Sequence, residues 1–554
     1  MNWDNMSNKP LVLGLNRTSD ASFCLIDEGE VFLGRKERLS RKKHAWGTLG
    51  DIPLYARSHP AFARPFDAIV ECYSSDAERN KLSEYRDELK AHLKLAPDAL
   101  YAEISHHFAH AYSAFHPSGF ADAAILVADN RGSPRGLVAE TAEVPVGPAD
   151  EALEVISIFD ADASGIRTIA RQWWEPAPAP PGGLGTFYSR SSRTVLARGN
   201  REGVLMGLAS HGTASRVKLP PLEVHGCEVS IPDAWMQIFA EPERFESFRQ
   251  GGDGFSDAAD FAAAAQAAFE DALIAIARHA RASTGRRNLV YAGGCALNCS
   301  ANARLAEEAG FDAVFVPPAC DDGGTSLGCA LYALERLGEP RLHWTWAVDY
   351  LGLPQANLAD ELHAAAAEFD LTVSKRDDLV DHTARALADG QTIAIFQGRS
   401  ESGPRALGNR SILASPREER VRDFINGEVK HREWFRPLAP VVRLENAPRY
   451  FEMTGASPFM QRRVMVRPQW RAALGAVTHV DGSARVQTVT HPQNAFLYDL
   501  LGAFEHFSGL DVLLNTSFNG ADEPIVETVS EACAALRRMK IDQLVVPPFV
   551  VTKE

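Results

Sequence analysis

Asn288–Gly310, NLVYAGGCALNCSANARLAEEAG, reads as an apolar strand, a glycine turn and a helix. Val314–Gly338, VFVPPACDDGGTSLGCALYALERLG, repeats the plan. Two consecutive strand–glycine–helix units predict an α/β chain of the doubly wound kind. Gly293 and Gly294 would let a ligand approach the backbone, and the helix that follows favours an anion at its N-terminus. The turn AGGCALNCSAN, with Gly293, Gly294 and Asn298, is therefore a candidate cofactor-binding turn, and DDGGTSLG offers a second. One glycine turn says little; two before helices in one domain fit a nucleotide cleft.

Outward from this stretch, Asp257–Thr284 is alanine-rich with helical periodicity and predicts a long helix. Asp122–Ser133, DAAILVADNRGS, is an apolar strand ending in Asp129. The chain opens with PLVLGLN and ASFCLIDEGEVFLG, a strand and then two strands around an Asp-Glu-Gly turn. This opening, with Asp20 in its first turn, is also how actin-like and sugar-kinase-like folds begin. Glu175–Gly185, EPAPAPPGGLG, marks a loop. A new helix–strand series starts near Pro354–Asp360, which divides the chain into domains 1–353 and 354–554.

With 554 residues, more than one core is expected. The net charge of −15 argues against general nucleic-acid binding, despite local basic runs such as RKERLSRKKH (Arg35–His44). No 18-residue apolar run occurs, and the start MNWDNMSNKP lacks the apolar core of a signal peptide. The eight cysteines form no C-x-x-C pair, which suits free thiols in a reducing compartment. A cytoplasmic protein without membrane or nucleic-acid partners is expected.

Two constellations could carry chemistry. In Ser105–Phe115, SHHFAHAYSAF, His106 and His110 are four apart and share one helix face, while His107 points elsewhere. That spacing alone is weak, because i,i+4 polar pairs also lie on solvated faces. Asp129 and Asp322, each near the end of an apolar strand, would complete a two-histidine, two-carboxylate set. Such a set suits ferrous iron, manganese or a similar divalent ion better than a structural zinc. The plainer alternatives are that Asp129 caps a turn and that Asp321 or Asp322 caps the next helix. The second constellation is cationic: GPRALGNRS, VKHREWFRP, ARVQTVT and LLNTSFN supply Arg405, Arg410, Lys430, Arg432, Arg436, Arg485, Asn515 and Ser517. Guanidinium forks and an ammonium so dense in an acidic chain point to an anionic substrate. Ion pairs with Glu401, Glu428 and Glu433 account for part of them on the plainer reading.

With these motifs assembled, the chain resembles the nodulation-type and antibiotic O-carbamoyltransferases. LGLN…DAS, KERLSRKKH, HHFAHAYSAF, MGLASHG, AGGCALNCSAN, DDGGTSLG, GPRALGNRSIL, KHREWFRPLAP, THVDGSARVQTV and LLNTSFN follow in the family's order. The resemblance implies an actin-like N-terminal domain, similar to the threonylcarbamoyl-transferring tRNA-modification proteins, followed by a YrdC-like twisted α/β domain. It implies that carbamoyl phosphate and ATP, with Mg(2+), form carbamoyl-adenylate in the second domain. The carbamoyl group then passes to a hydroxyl of a small natural product in the first. His106, His110, Asp129 and Asp322 match the family's metal ligands, for which Fe(2+) or a similar ion is implied. Asp322 fits better than Asp321 because it keeps the D-x-G-T spacing. Arg405, Lys430, Arg436, Arg485, Asn515 and Ser517 fall on its carbamoyl phosphate and ATP positions, with Lys430, Arg436 and Ser517 closest to the chemistry; Arg410, from the same cationic cluster, is a further cofactor-binding candidate. A homodimer is compatible with the family.

The family usually carries a histidine in an H-D-A-S turn after the first strand, placed to deprotonate the acceptor. Here the turn reads NRTSDAS, with Ser19 at that position, and serine is a poor general base at its ordinary pKa. Asp20 is one substitute; His44 or His211 is another; an amine acceptor, which needs less help, is a third. Val204 also replaces the family's lysine in the segment EGVLMGLA. Outside transferases, an actin-like ATPase or nucleotide-binding regulator whose basic site senses phosphate is the competing expectation.

Overall fold

A computed structural model describes residues 9–74, 82–138, 150–175, 182–342 and 349–553. The first eight residues, most of the Pro/Gly-rich loop (176–181) and the tryptophan-containing segment 343–348 lie outside the described residues. The chain divides into two compact units. The first comprises Met1–Leu39 and His44–Trp344, the second Ser40–Lys43 and Thr345–Glu554.

The first unit holds two five-stranded sheets of the same plan. One contains β1 (Val12–Asn16), β2 (Ser22–Asp27), β3 (Glu30–Arg35), β4 (Pro65–Tyr73) and β5 (Lys94–Ser105), in the order β3-β2-β1-β4-β5. The other contains β6 (Ala123–Ala128), β7 (Leu153–Asp162) and β8 (Gly165–Trp174). After a short hairpin, β9 (Glu223–His225) and β10 (Glu228–Ser230), come β11 (Asn288–Ala292) and β12 (Ala313–Phe315). Its order, β8-β7-β6-β11-β12, matches the first sheet strand for strand. In each, three strands form an antiparallel meander and two more add in parallel to its first strand. The chain is thus α/β as its sequence predicts, with mixed rather than all-parallel sheets. The meander halves arise where short turns such as Asp27–Glu30 join consecutive strands, which only antiparallel pairing permits.

This duplication positions the site. The helix His106–Phe115 leaves β5 of the first sheet and packs on β6 and β11 of the second. The helix Thr325–Arg336 follows β12 of the second and packs on β1, β2 and β4 of the first. The two helices also pack on each other, every residue of the first is buried, and the backbones nearly touch. A Cβ on Gly328 would lie 1.8 Å from the Ala109 carbonyl, and one on Gly14 would lie 2.1 Å from that of Ser326. Only glycine permits this approach. The alanine-rich helix is Phe255–Thr284, closed by Gly285 in the left-handed conformation.

The second unit is built on β13 (Leu371–Lys375), β14 (Ile393–Phe396), β15 (Arg410–Ala414) and β16 (Ala439–Arg443). A small sheet follows, β17 (Phe451–Glu452), β18 (Arg463–Val466) and β19 (Ser483–Arg485), and then β20 (Gln487–Val489), β21 (Val512–Ser517), β22 (Gln543–Val546) and β23 (Phe549–Lys553). The large sheet runs β13-β23-β22-β14-β15-β21-β16-β20. Its apolar residues form one core with the helices Leu358–Glu368, Leu379–Ala388, Ala495–Ser508 and Val529–Arg538. The division at Thr345 falls shortly before the 354 read from the sequence. Among the described residues, no helix is long and apolar enough to cross a membrane.

Candidate active site

His106 and His110 occupy the first turns of the buried helix, whose N-terminus is capped by the Ser105 hydroxyl accepting from the Phe108 N–H. Their Nε2 atoms lie 3.2 Å apart. Asp129, directly after β6, places Oδ2 3.2 Å from His110 Nε2 and 3.5 Å from His106 Nε2. Asp322, in the turn that opens the helix Thr325–Arg336, places Oδ1 3.3 Å from His106 Nε2 and 3.6 Å from His110 Nε2. The four donor atoms lie within 4.8 Å of one another. The crossing of the two helices brings them together from both halves of the duplicated unit.

The donor set fits a divalent cation. Two imidazole nitrogens facing each other at 3.2 Å can share one proton, but two imidazoliums would repel. Asp129 Oδ2 is buried with the two imidazole Nε2 atoms near it, at 3.2 and 3.5 Å, and among the described residues makes no well-formed hydrogen bond, which leaves it capacity for a cation. Burial alone pushes the His106 imidazole down, yet Asp322 and Asp129 hold its pKa well above the usual histidine range. Burial likewise pushes Asp129 up, and the two imidazoles override it to hold the carboxyl well below its usual range. Carboxylates kept ionised in a dry site suit a cation.

Neighbours fix each donor. His107 is not part of the cluster: its Nδ1 meets Ser157 Oγ at 2.8 Å and its N–H donates to Glu154. Burial, followed by the charge of His106, keeps its pKa well below normal. Asp321, the alternative to Asp322, accepts from Arg35 Nη2 at 2.6 Å. The Asp322 carbonyl accepts from Asn16 Nδ2, and its Oδ2 accepts from Ser19 Oγ at 2.9 Å. Gly293 has φ +93, and a Cβ there would lie 2.3 Å from the Ala128 carbonyl, just before Asp129. Gly294 lies against Asp129 as well: its Cβ would stand 3.0 Å from Oδ1. Asn298 caps the helix Cys299–Glu308 and exchanges two hydrogen bonds with Gln266. Val204 is buried in the helix Glu202–Ala209.

Ser19 and Asp20 form the turn after β1. Asp20 Oδ1 accepts from or shares a proton with His44 Nδ1 at 3.0 Å. His211 instead sets its ring edge-on to Phe255.

In the second unit, Lys430 is buried. Its Nζ donates to the Ser517 carbonyl at 2.7 Å, the Asn519 carbonyl at 2.8 Å and Asn519 Oδ1 at 2.5 Å. Ser517 Oγ lies 3.3 Å from the same Nζ. Burial first, then Arg432, Lys43 and Arg436, hold the Lys430 pKa well below the ordinary amine. Arg432 is pushed down to about 9 by burial and then by the charges of Arg436, Arg485 and Arg405, with Glu433 opposing. Arg436 Nη1 lies 3.5 Å from Glu433. Arg405 has a buried Nε without a partner, and so has the Asn515 Oδ1. The Asn515 amide donates to Gln487 at 2.7 Å. Arg410 is fully buried beside this group. It donates to the carbonyls of Gln397, Asn409 and Gly398 and stacks on Phe396. Asn519, which the motifs do not single out, completes the Lys430 cradle. Its signal is its place two residues past Ser517 in NTSFN.

Comparison with known proteins agrees with the motifs. Sequence models described as "Carbamoyltransferase N-terminus" and "Carbamoyltransferase C-terminus" match residues 228–331 and 384–553. The nodulation protein NolO of Bradyrhizobium diazoefficiens is 36% identical over 81% of this chain and 79% of its own length. The 3'-hydroxymethylcephem-O-carbamoyltransferase of Amycolatopsis lactamdurans is 40% identical over 47% of each chain. Among solved structures, full-length HypF in its phosphate- and nucleotide-bound form aligns with a TM-score of 0.35 and 17% identity, over 60% of this chain and 57% of HypF. That last likeness is too loose to carry an argument. The family models and the long match to NolO place the chain in the nodulation-type and antibiotic carbamoyltransferase family, as a carbamoyltransferase.

Proposed function

We propose that the second unit forms carbamoyl-adenylate from carbamoyl phosphate and ATP, consuming one water and releasing phosphate and pyrophosphate, and that the first unit passes the carbamoyl group to a hydroxyl of a small natural product. In this reading the first unit is the actin-like domain and the second the YrdC-like domain of the family. The observation that carries it is the crowd of cations around Lys430. Arg405, Arg436 and Arg485 stand close enough to help drive Arg432 to a pKa of about 9. Like charges in such excess over the neighbouring Glu433 are tolerable where an anion is meant to join them. Phosphate oxygens are such an anion, and charge developing on them during displacement at the ATP α-phosphorus would be stabilised by the same forks.

Lys430, held by Ser517 and Asn519, would keep those groups oriented toward the bound phosphates. Asn515, with its amide oxygen unpaired, would accept from the carbamoyl NH2. Arg436 would supply a fork beside it. In the first unit His106, His110, Asp129 and Asp322 would hold a divalent cation, which when bound supplies a Lewis acid for the carbamoyl carbonyl. Iron, Mg(2+) for the ATP step and a natural-product acceptor belong to this proposal through the family. The cephem O-carbamoyltransferase, whose acceptor is a hydroxymethyl group by its name, supports an alcohol.

The test is incubation with ATP and carbamoyl phosphate. Pyrophosphate that appears only when both are present is the expected result. ADP formation without pyrophosphate would overturn the adenylate reading and favour an ATPase or phosphate-sensing regulator.

A further inference from the structure

The family's deprotonating histidine is replaced by Ser19, and the next residue along the turn meets another imidazole. Resting on the reading above, we propose that His44 is the general base of carbamoyl transfer and that Asp20 is its positioning residue. His44 Nδ1 and Asp20 Oδ1 are 3.0 Å apart. A carboxylate on Nδ1 fixes the tautomer with the proton there and leaves Nε2 as the basic nitrogen. The His44 side chain is 39% exposed and the Asp20 side chain 17%, so the imidazole is reachable by an acceptor while its partner is sheltered.

The backbone holds the pair in place. The Ala21 N–H donates to the Ala45 carbonyl at 2.9 Å, and the Gly47 N–H to the Thr18 carbonyl at 2.9 Å, so the His44 loop is laced along the Ser19–Asp20 turn. A Cβ on Gly47 would lie 2.2 Å from the Arg17 carbonyl, so the two loops approach as closely as glycine permits. Asp20 (φ +48) and His44 (φ +53) both adopt the left-handed conformation, which aspartate and histidine reach more readily than most non-glycine residues. The turn also reaches the cation cluster, because Ser19 Oγ donates to Asp322 Oδ2.

Asp20 and Glu37 are charged groups that meet His44, the latter accepting from the His44 backbone N–H at 3.1 Å. Arg35 and Arg38 stand behind Glu37: burial raises the Glu37 pKa, and these two arginines override it. Asp20, Glu37 and His44 could offer three donor atoms within 4.8 Å. The arginines already supply the positive charge there, so the group reads as a base with its orienting acids rather than a second metal site.

In the proposed step the acceptor oxygen bonds to the carbamoyl carbon and its proton passes to His44 Nε2. The carbon–oxygen bond to the adenylate phosphate breaks, and AMP leaves with the electron pair. His44 then returns the proton to solvent. Water serves as the probe acceptor, giving AMP and carbamic acid, which decomposes to carbon dioxide and ammonia.

The experiment measures two rates on the full chain with ATP and carbamoyl phosphate. One is carbamoyl phosphate-dependent ATP–pyrophosphate exchange, which reports adenylate formation; the other is steady-state AMP release to water. His44→Ala should leave exchange unchanged and lower AMP release about 100-fold, with partial rescue by added imidazole. Asp20→Asn should lower AMP release less, through kcat with the KM for ATP unchanged, and Asp20→Glu should restore part of the loss, as expected of a group that orients the base. Equal AMP release by His44→Ala and wild type, or a loss that imidazole does not restore while exchange persists, overturns the dyad. Absence of exchange in the wild type overturns the adenylate reading itself, and the dyad with it.

Discussion

Arg35 decides which of two adjacent aspartates faces the histidines. Its Nη2 donates to Asp321 at 2.6 Å, with both side chains buried, and Asp322 is left to turn toward His106 and His110. The two carboxyls respond in opposite directions. Burial raises Asp321 despite Arg35, whereas the imidazoles hold Asp322 below its usual range against burial and Asp129.

Substitutions at the pair should therefore separate. Asp322→Asn should fold normally and lose bound divalent metal, because a carboxylate ligand becomes a weaker amide. Losing even a partner behind a ligand costs about 10–100-fold in affinity, so losing the ligand costs more. Asp321→Asn should keep the metal but lose about 1.5–3 kcal/mol of stability, since Arg35 loses its buried charged hydrogen bond and keeps Glu37, 3.9 Å away, as a carboxylate partner. Metal content by elemental analysis and denaturant melts check both.

His110→Ala should abolish bound metal and carbamoyl transfer while leaving carbamoyl phosphate-dependent pyrophosphate formation within about twofold of wild type. His107→Ala should do neither. It removes a buried ring hydrogen-bonded to Ser157 while the backbone N–H keeps its bond to Glu154, and its expected effect is a lower melting temperature. Loss of both activities in a folded His110→Ala protein would contradict separate sites for activation and transfer.

Much of this site was legible because its residues sit where strands end. Asp129 after AAILVA and Asp322 after the apolar run VFVPPAC were marked in this way, and the i,i+4 spacing put His106 and His110 on one face. What the sequence could not show was the crossing of helices that joins them, since it depends on Gly14 and Gly328, ordinary glycines until a neighbouring backbone meets them. The mixed sheets were hidden for a similar reason: a buried apolar strand reads alike in parallel and antiparallel pairing. Arg410 reads in the sequence as one phosphate-gripping arginine among several, and its three backbone acceptors were not legible there because they depend on how the chain turns at 397–409.

A pH dependence of stability follows from Asp349. Burial, with Glu401 nearby, raises its pKa to about 8, far above an unfolded aspartate. The folded state then holds a proton that the unfolded state has released. Its stabilising contribution is complete below about pH 4 and declines as pH rises through about 8. Asp349→Asn removes that slope, so the variant should gain on wild type by several degrees in melting temperature between pH 5 and pH 8. Melts across that range that run parallel for the two proteins would show that Asp349 is ionised in the fold.

Arg432 offers the sharpest test of the anion site. Its pKa of about 9 follows from burial and from crowding by Arg436, Arg485 and Arg405, so bound phosphate should relieve the crowding and favour the charged fork. The sign is fixed by this linkage: the anion binds the protonated form, so affinity is steady below about pH 8 and falls as pH rises through about 9. Above that, the dissociation constant for inorganic pyrophosphate should rise about tenfold per pH unit, one proton being taken up on binding. Arg432→Gln should weaken binding by about 10–100-fold at about pH 7.5, the value of a charged hydrogen bond. It should also flatten the dependence between about pH 8 and 10, because the group that titrates there is gone. Calorimetric titrations in two buffers of different ionisation enthalpy would read both the affinity and the proton uptake. Binding by Arg432→Gln that keeps the wild-type pH slope would assign the titration to another group, with Lys430, also driven down by burial, the next to substitute.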